Sequence, residues 1–373
     1  NAFGYMNVDF YVKGVNEKGV WYAVADSHPI LASFVVDKST PVDLSTAQGV
    51  RTYWFDADNP QKSYTLVSPA ELRGFQELSA SNNFYNIEIK LANDIDLNPG
   101  WNAGSGVPTN VWTPIGRSAT DNTVVIQFRG TFNGQGHTIK GVYVESSLDR
   151  IGLFATTGKD AVVKNFTLEN SVIKSTNTST SAYGSVGSIV GRLAGTIDTV
   201  KSSADVVLSG VAYAGGFVGD IHSTYGATIK NSWFAGSVSG AGQHHGAILG
   251  GVRRVLNNDT ENICTIQNCL VTGAIDKRQA AGGICGTVWT NNSRVVIEDT
   301  LFAGSFVTVS GVNTSYIGTI VGHANNGSVT ATNVYCVDNS GVTAKIGYVG
   351  KNTVANSAIQ TLTGTQLNGS NAF

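Results

Sequence analysis

Short segments in which apolar and polar residues alternate follow one another along most of this chain, separated by Gly, Asn and Ser. Alternation with a period of two is typical of β-strands, and Gly and Asn favour the tight turns between them. Most of these segments belong to a repeat, because seven of them share a glycine-rich form such as "GGFVG" and are followed by a second strand-like segment such as "TIKNSWFAGSV". The glycine-rich segments end at Ala155, Gly191, Gly219, Gly250, Gly286, Gly322 and Gly350.

The length of this repeat decides between two all-β architectures. A unit of roughly thirty residues without a helix cannot bury its own apolar face, whereas parallel stacking of successive copies covers that face. A β-propeller blade needs about 40–45 residues in four antiparallel strands. We therefore predict an all-β chain that forms a right-handed parallel β-helix, in which equivalent strands pair and like residues form columns.

The repeat does not extend over the whole chain. Residues 1–63 contain four strand-like segments without it, and they predict a small N-terminal β subdomain. The β-helix is predicted over 64–373, with irregular first coils at 85–150, repeats at 151–350 and a C-terminal cap at 351–373.

One segment has the features of a helix. "SPAELRGFQELSAS", at about 68–81, offers Ser68 as N-cap, Pro69 in the first turn and Glu71 at capping-box spacing, and it places Leu72 and Phe75 on one face. A short amphipathic helix before the first coil would cover the open end of the core, so we predict a capping helix.

A polar column accompanies the second strand of the repeats. It lies two residues after an apolar column, and strand alternation would place both columns on one face. We therefore predict an inward, hydrogen-bonded ladder; the alternative is a row of polar groups along a ligand groove. The ladder residues are Asn165, Asn231, Asn268, Asp299 and Asn333, with Thr199 at the same position.

Composition narrows the function classes. Charged residues make up 13% of the chain, about half the usual ~25%, while 42% are hydrophobic. A net charge of −2 argues against nucleic acid or an anionic membrane as partner. No apolar stretch approaches the roughly 18 residues of a membrane span, and no secretory leader is recognisable. The four cysteines lack metal-site spacing and predict buried side chains or one disulfide. We expect no metal or other cofactor. We also expect a monomer.

Several motifs occur in a fixed order, namely "LANDIDLN", "WTPIG", "FRGTFNGQGHTIKGVYV", "IGLFA" and "VKNFTLENSVI", followed by repeated "GGFVG…TIKNSWFAGSV" units. With these motifs in this order, the chain from Tyr64 onwards resembles the GLUG-repeat proteins. These are bacterial surface or secreted proteins whose repeats also occur in the non-catalytic region of IgA-specific metallopeptidases. The resemblance implies an extracellular β-helical stalk or binding surface. The zinc motif H-E-x-x-H of those peptidases is absent from this sequence.

These features favour a binding function: a non-catalytic, adhesin-like module that binds a glycan or a host macromolecule. Aromatic rings in variable turns offer platforms for sugar faces. The longest and most polar insertion, in the unit "GAGQHHGAILGGVRRVLNNDTENIC", is a typical place for ligand binding. One alternative is a polysaccharide lyase or glycoside hydrolase with a lateral groove, using a pair such as Asp198 with Asp220 or Asp276 with Glu298. Another is a stalk that displays a further domain. The candidate ligand-binding residues are Tyr225, His244, His245, Arg253, Arg254 and Trp289.

Overall fold

The computed structural model describes residues 21–22, 30–31, 49–116, 126–178, 184–210, 213–222, 225–252, 262–311, 314–337, 341–350 and 358–363. Arg253, Arg254 and most of the predicted cap at 351–373 lie outside this set. Among the described residues, no helix is long and apolar enough to cross a membrane.

Parallel strands from successive coils pair into four sheets, which each repeat visits in the order sheet 1, sheet 2, sheet 3, sheet 4. The predicted parallel β-helix is thereby confirmed. Sheet 1 contains Arg150–Ile151, Ser185–Gly187, Tyr213–Gly215, His244–Gly246, Ala280–Gly282 and Tyr316–Gly318. Sheet 2 contains Phe154–Thr156, Val190–Leu193, Val218–Ile221, Leu249–Val252, Cys285–Val288, Val321–Ala324 and Ile346–Val349.

Sheet 3 is the largest sheet and extends beyond the repeats into the first coils. Its strands in the repeats are Val162–Glu169, Gly195–Ser202, Ala227–Lys230, Trp233–Phe234, Asn262–Gln267, Leu270–Val271, Ser293–Phe302, Ser328–Val337 and Ile359–Leu362. Its strands in the first coils are Ser63–Leu66, Glu88–Leu91, Ile95–Asp96, Thr131–Asn133 and Thr138–Lys140. Sheet 4 contains Tyr143–Ser146, Val172–Ser175, Asp205–Leu208, Ser237–Gly240, Ala274–Asp276 and Ser305–Val307.

The predicted apolar column of sheet 3 faces the interior. Its members are level with one another in consecutive strands, and all are buried. Each buried isoleucine contributes about 1.5–3 kcal/mol relative to an exposed one, and its partners above and below come from other repeats. The coils therefore stabilise one another, as stacking of incomplete units requires. The column consists of Val163, Ile197, Ile229, Ile266, Ile297 and Ala331.

The glycine-rich segments form the tight corner between sheets 1 and 2. At Gly219, an added Cβ would lie 2.4 Å from the backbone nitrogen of Val186, so no side chain fits between the two coils. The last repeat is aligned differently from the prediction. Val321 pairs with Ile346, which places Gly347 level with Gly322, so the choice of Gly350 is wrong by three residues.

The predicted capping helix is confirmed and spans Pro69–Leu78. The Ser68 hydroxyl accepts a hydrogen bond from the Glu71 amide at 3.3 Å, and the Glu71 carboxylate accepts one from the Val67 amide at 2.8 Å. Burial raises the pKa of Glu71. Phe75 is fully buried, and its ring contacts those of Phe84, Phe128 and Phe132 in the first coils. The helix therefore covers the apolar core at this end.

Little of the predicted N-terminal subdomain at 1–63 is described. Trp21–Tyr22 and Ile30–Leu31 form an antiparallel pair. Ser63–Leu66 pairs in parallel with Glu88–Leu91 and so belongs to sheet 3 of the solenoid. The subdomain itself stays a prediction.

Candidate binding groove

Each repeat of sheet 3 bends outward at one residue with a left-handed backbone. Asn and Asp adopt this conformation more readily than other side chains, because they can hydrogen-bond locally. The bend interrupts strand alternation: Gln267 is partly exposed, Asn268 is exposed, and Cys269 is buried. The corner residues and their φ angles are Asn165 (57°), Thr199 (56°), Asn231 (53°), Asn268 (50°), Asp299 (46°) and Asn333 (51°).

These corner residues are the predicted ladder, and its inward placement is wrong. Asn165 is partly exposed and Asn231, Asn268, Asp299 and Asn333 are exposed, because the positive φ turns the side chain away from the apolar column. Hydrogen bonds nevertheless link neighbouring coils. The side-chain nitrogen of Asn268 donates to Asn231 at 2.8 Å, and that of Asn333 donates to Asp299 at 2.9 Å. The ladder therefore forms a polar floor on the outer surface.

One wall of the groove lies two residues after the corner, where side chains again point outward. Trp233 has 37% of its surface exposed, and its indole nitrogen donates to Thr272 Oγ1 at 2.8 Å, which fixes the ring. Leu270, which is partly exposed, and Leu301, which is only 5% exposed, follow it in the next two coils. The column is Thr167, Lys201, Trp233, Leu270, Leu301 and Tyr335, so this wall changes from polar to apolar along the solenoid.

A polar column flanks the groove on the other side of the corner, one residue before it. Asp198 accepts hydrogen bonds from Asn231 at 2.8 Å and Thr199 at 3.0 Å, and it pairs with Lys230 at 3.5 Å. Partial burial raises the pKa of this carboxyl, but those three partners outweigh burial and hold the pKa below its usual value. This flanking column consists of Lys164, Asp198, Lys230, Gln267, Glu298 and Thr332.

Two open concavities lie along this corner groove. The first has a volume of about 460 Å³ and extends from Gln135 to Trp233. The second has a volume of about 300 Å³ and extends from Asn231 to Leu301. Asn231 and Trp233 line both concavities, so they separate two neighbouring subsites of one groove. The Lys201 ammonium lies over the Trp233 ring, 4.3 Å from its centroid.

The ligand-binding residues predicted from the sequence lie elsewhere. Tyr225 and Trp289 are each 38% exposed, as expected for platforms in turns. His244 and His245 are only 7% and 0% exposed, because they belong to a strand of sheet 1 rather than to a polar loop. The structure brings His244 and Trp289 together, with ring centroids 5.8 Å apart, while Tyr225 contacts His222 at 5.0 Å. Arg253 and Arg254 are not among the described residues.

The two buried histidines are held neutral. Burial, followed by the nearby charge of His323, lowers the pKa of His244 to about 3. Burial, followed by Arg278 and His244, lowers the pKa of His245 to about 3. His244 packs against neighbouring aromatic rings, and His245 is fully buried. Neither ring lines a concavity of the corner groove, so we no longer assign them to ligand binding.

The carboxylate pairs considered for catalysis are separated by the fold. Asp220 is fully buried in sheet 2, and Arg192 donates to its carboxylate at 3.0 and 2.8 Å, so it cannot join Asp198 on sheet 3. Asp276 lies on sheet 4 and accepts from the Gly240 amide at 3.0 Å.

Alternation also predicts that the adjacent pair Glu298 and Asp299 faces opposite sides of a strand, which is wrong. The bend at Asp299 leaves Glu298 partly exposed and Asp299 exposed, and Asp299 lines the second concavity.

Within the described part of the chain, no group of three or more His, Cys, Asp or Glu side chains could hold a metal ion. The four cysteines are buried and free. Burial raises the pKa of Cys269 and Cys285 to about 12, so these thiols are protonated at neutral pH.

Comparison with known proteins gives two likenesses, and no protein-family model matches the chain. A segment of 165 residues, 42% of the chain, is 34% identical to Halomucin from Haloquadratum walsbyi, and the match spans 2% of that protein. The crystal structure of a "putative immunoglobulin A1 protease" from Bacteroides ovatus superimposes with a TM-score of 0.57 at 19% identity, covering 85% of this chain and 86% of that one. The second likeness supports the β-solenoid fold.

Sequence reasoning missed Trp233 and Lys201 as groove residues. A signal was present, because the residue two positions after the corner is large and apolar in four consecutive repeats, in "NSW", "NCL", "DTL" and "NVY". Strand alternation places this position on the same face as the Asn column. Because that column was predicted to face inward, the exposure of this position was not predicted. A positive φ at the Asn would have revealed the groove.

Proposed function

We propose that this chain is a non-catalytic module of a surface or secreted protein and that it binds a linear glycan in the corner groove of sheet 3. The observation that carries this proposal is the exposed Trp233 beside a polar corner column in which Asn231 and Asn268 hydrogen-bond across neighbouring coils. Aromatic rings supply flat apolar contact for sugar faces, and neutral amides supply hydrogen bonds to hydroxyl groups.

The geometry favours a polymer over a small molecule. Coils of a parallel sheet repeat every ~4.8 Å, so the corner residues from Asn165 to Asn333 extend over about 24 Å along the solenoid axis. The two concavities are open and continuous through Trp233, and neither encloses a compact ligand. A linear chain lying along the axis would contact one Asn, Thr or Asp corner residue in each successive coil.

A surface or extracellular location is supported by the neutral, hydroxyl-rich composition and by the two likenesses. The chain matches 2% of the length of Halomucin and shares a fold with the Bacteroides protein at 19% identity. The GLUG-like motif order agrees with this location. The absence of H-E-x-x-H from this sequence separates it from the peptidase activity.

The test compares two tryptophans with nearly equal exposure. Trp233→Ala should weaken binding of a glycan found on an array by at least about thirtyfold, since a central aromatic contact contributes about 2 kcal/mol or more. Trp289→Ala, at 38% exposure away from the groove, is the matched control and should leave the affinity unchanged. Calorimetry on folded variants measures both. The reverse result would move the site to the aromatic turn at Trp289.

The two alternative functions, a structural stalk and a polysaccharide-active enzyme, are tested by separate measurements. If no glycan or host glycoprotein is retained, the stalk interpretation replaces binding. Glu298 and Asp299 are neighbouring surface carboxylates, and Asp299 lines the second concavity, which is the feature that favours an enzyme. Release of reducing ends or unsaturated products from a polysaccharide, abolished by Glu298→Gln, would replace the non-catalytic assignment.

A further inference from the structure

We propose that the glycan contains an acidic sugar and that Lys201 binds its carboxylate in the first concavity, with a neutral sugar beyond Trp233. This inference rests on the glycan-binding function proposed above and specifies the class of ligand.

The charges of the two concavities differ in sign. Among the ten residues that line the first concavity, Lys201 alone is charged at neutral pH. Among the eight residues that line the second, Asp299 alone is charged. A carboxylate therefore meets attraction in the first subsite and repulsion in the second, where hydroxyl groups can donate to Asp299.

Lys201 differs from three other lysines on sheet 3, and a fourth, Lys164, lines neither concavity. Lys90 pairs with Glu88 at 3.3 Å, Lys140 with Glu169 at 3.8 Å and Lys230 with Asp198 at 3.5 Å. Within the described part of the chain, no carboxylate lies within ion-pair distance of Lys201. Its ammonium contacts the ring of Trp233 instead.

This contact places the cation where a ligand would arrive. The ammonium lies 4.3 Å from the centre of the Trp233 ring, and both residues line the first concavity. A cation–π contact at an exposed site is weak, and the lysine side chain has several rotatable bonds. An incoming acidic sugar can therefore take the ring face while the ammonium moves to its carboxylate. Lys201 then fixes which sugar of the chain occupies this subsite.

The experiment uses paired ligands that differ only at the carboxyl group. Hexasaccharides from polygalacturonate, alginate and hyaluronan are each compared with their carboxyl-reduced forms by calorimetry on the full chain. We expect at least one acidic form to bind at least about tenfold more tightly than its reduced form, with an affinity that falls as salt rises.

Three variants assign this preference to a residue. Lys201→Gln should make the acidic and reduced forms bind equally, and Lys201→Arg should restore the preference. Lys230→Gln removes a cation that pairs with Asp198 and lines neither concavity, so it should leave the preference in place. Circular dichroism confirms that each variant is folded.

The outcomes separate the two proposals. If the neutral forms bind as tightly as the acidic ones, or if Lys201→Gln keeps the preference, the acidic-sugar inference is wrong while glycan binding stands. If neither these ligands nor any array glycan binds, the proposed function fails as well.

Discussion

The left-handed corner of sheet 3 predicts an unusual order of stability between alanine and glycine. Asn268 has a φ of 50°, a conformation that costs an alanine about 1–2 kcal/mol and costs a glycine almost nothing. Both substitutions remove the hydrogen bond to Asn231, so that loss cancels in the comparison. Glycine loses about 0.5–1 kcal/mol more than alanine through the entropy of the unfolded chain. Asn268→Gly should therefore be more stable than Asn268→Ala by about 0.5–1 kcal/mol.

A control in the same strand should give the opposite order. Thr265 is partly exposed and belongs to the regular part of the strand Asn262–Gln267. There, Thr265→Ala should be more stable than Thr265→Gly by about 0.5–1 kcal/mol. Urea unfolding followed by far-ultraviolet circular dichroism measures all four variants. If alanine is the more stable residue at both positions, the corner is not left-handed and the groove built on it loses its basis.

Three further predictions concern other parts of the solenoid. Thr199 is the one β-branched residue among the corner positions, at a φ of 56°, so Thr199→Asn should raise the free energy of unfolding by about 1 kcal/mol in the same urea assay; a loss of stability would contradict the strain. Asp220→Asn leaves the buried Arg192 without its counter-charge and should cost about 3–5 kcal/mol, measured as a lower melting temperature, whereas an unchanged temperature would show that the pair is not buried. His245 has a folded pKa of about 3, below its unfolded value of 6.5, so its contribution to stability is complete above pH 6.5 and is lost as the pH falls towards 3. His245→Leu should remove about 1.4 kcal/mol per pH unit from the acid slope of unfolding below pH 6, and an unchanged slope would show that His245 is not buried as a neutral ring.

Much of the fold could be predicted because it depends on patterns that repeat in the sequence. Two local features show this: the apolar column through Ile229 and Ile266, and the N-terminal signals of the helix at Ser68 and Glu71. In a stacked solenoid the column must be buried, and the signals mark where the helix begins. The alignment of the last repeat failed because Gly347 and Gly350 both fit the pattern, and only strand pairing distinguishes them.

The candidate site was harder to predict because its position depends on a single backbone angle. Strand alternation placed Asn231 beside Ile229 in the core, whereas the positive φ turns it to the surface. The histidines show the converse error. His244 and His245 look polar in sequence, yet pairing with Tyr213 and Ala214 below and Ala280 and Ala281 above buries them in sheet 1.

By itself, the sequence determined that short strands repeat, that their apolar residues must be covered by neighbouring copies, and that a helix closes one end. Those properties follow from the solvation of apolar groups and from local backbone preferences, and both can be read from residue order. The tertiary structure alone decided which polar residues face water and which meet across coils. Asn231 and Trp233 belong to one coil and Lys201 to the coil before it, and they form one groove only because parallel stacking places those coils about 4.8 Å apart.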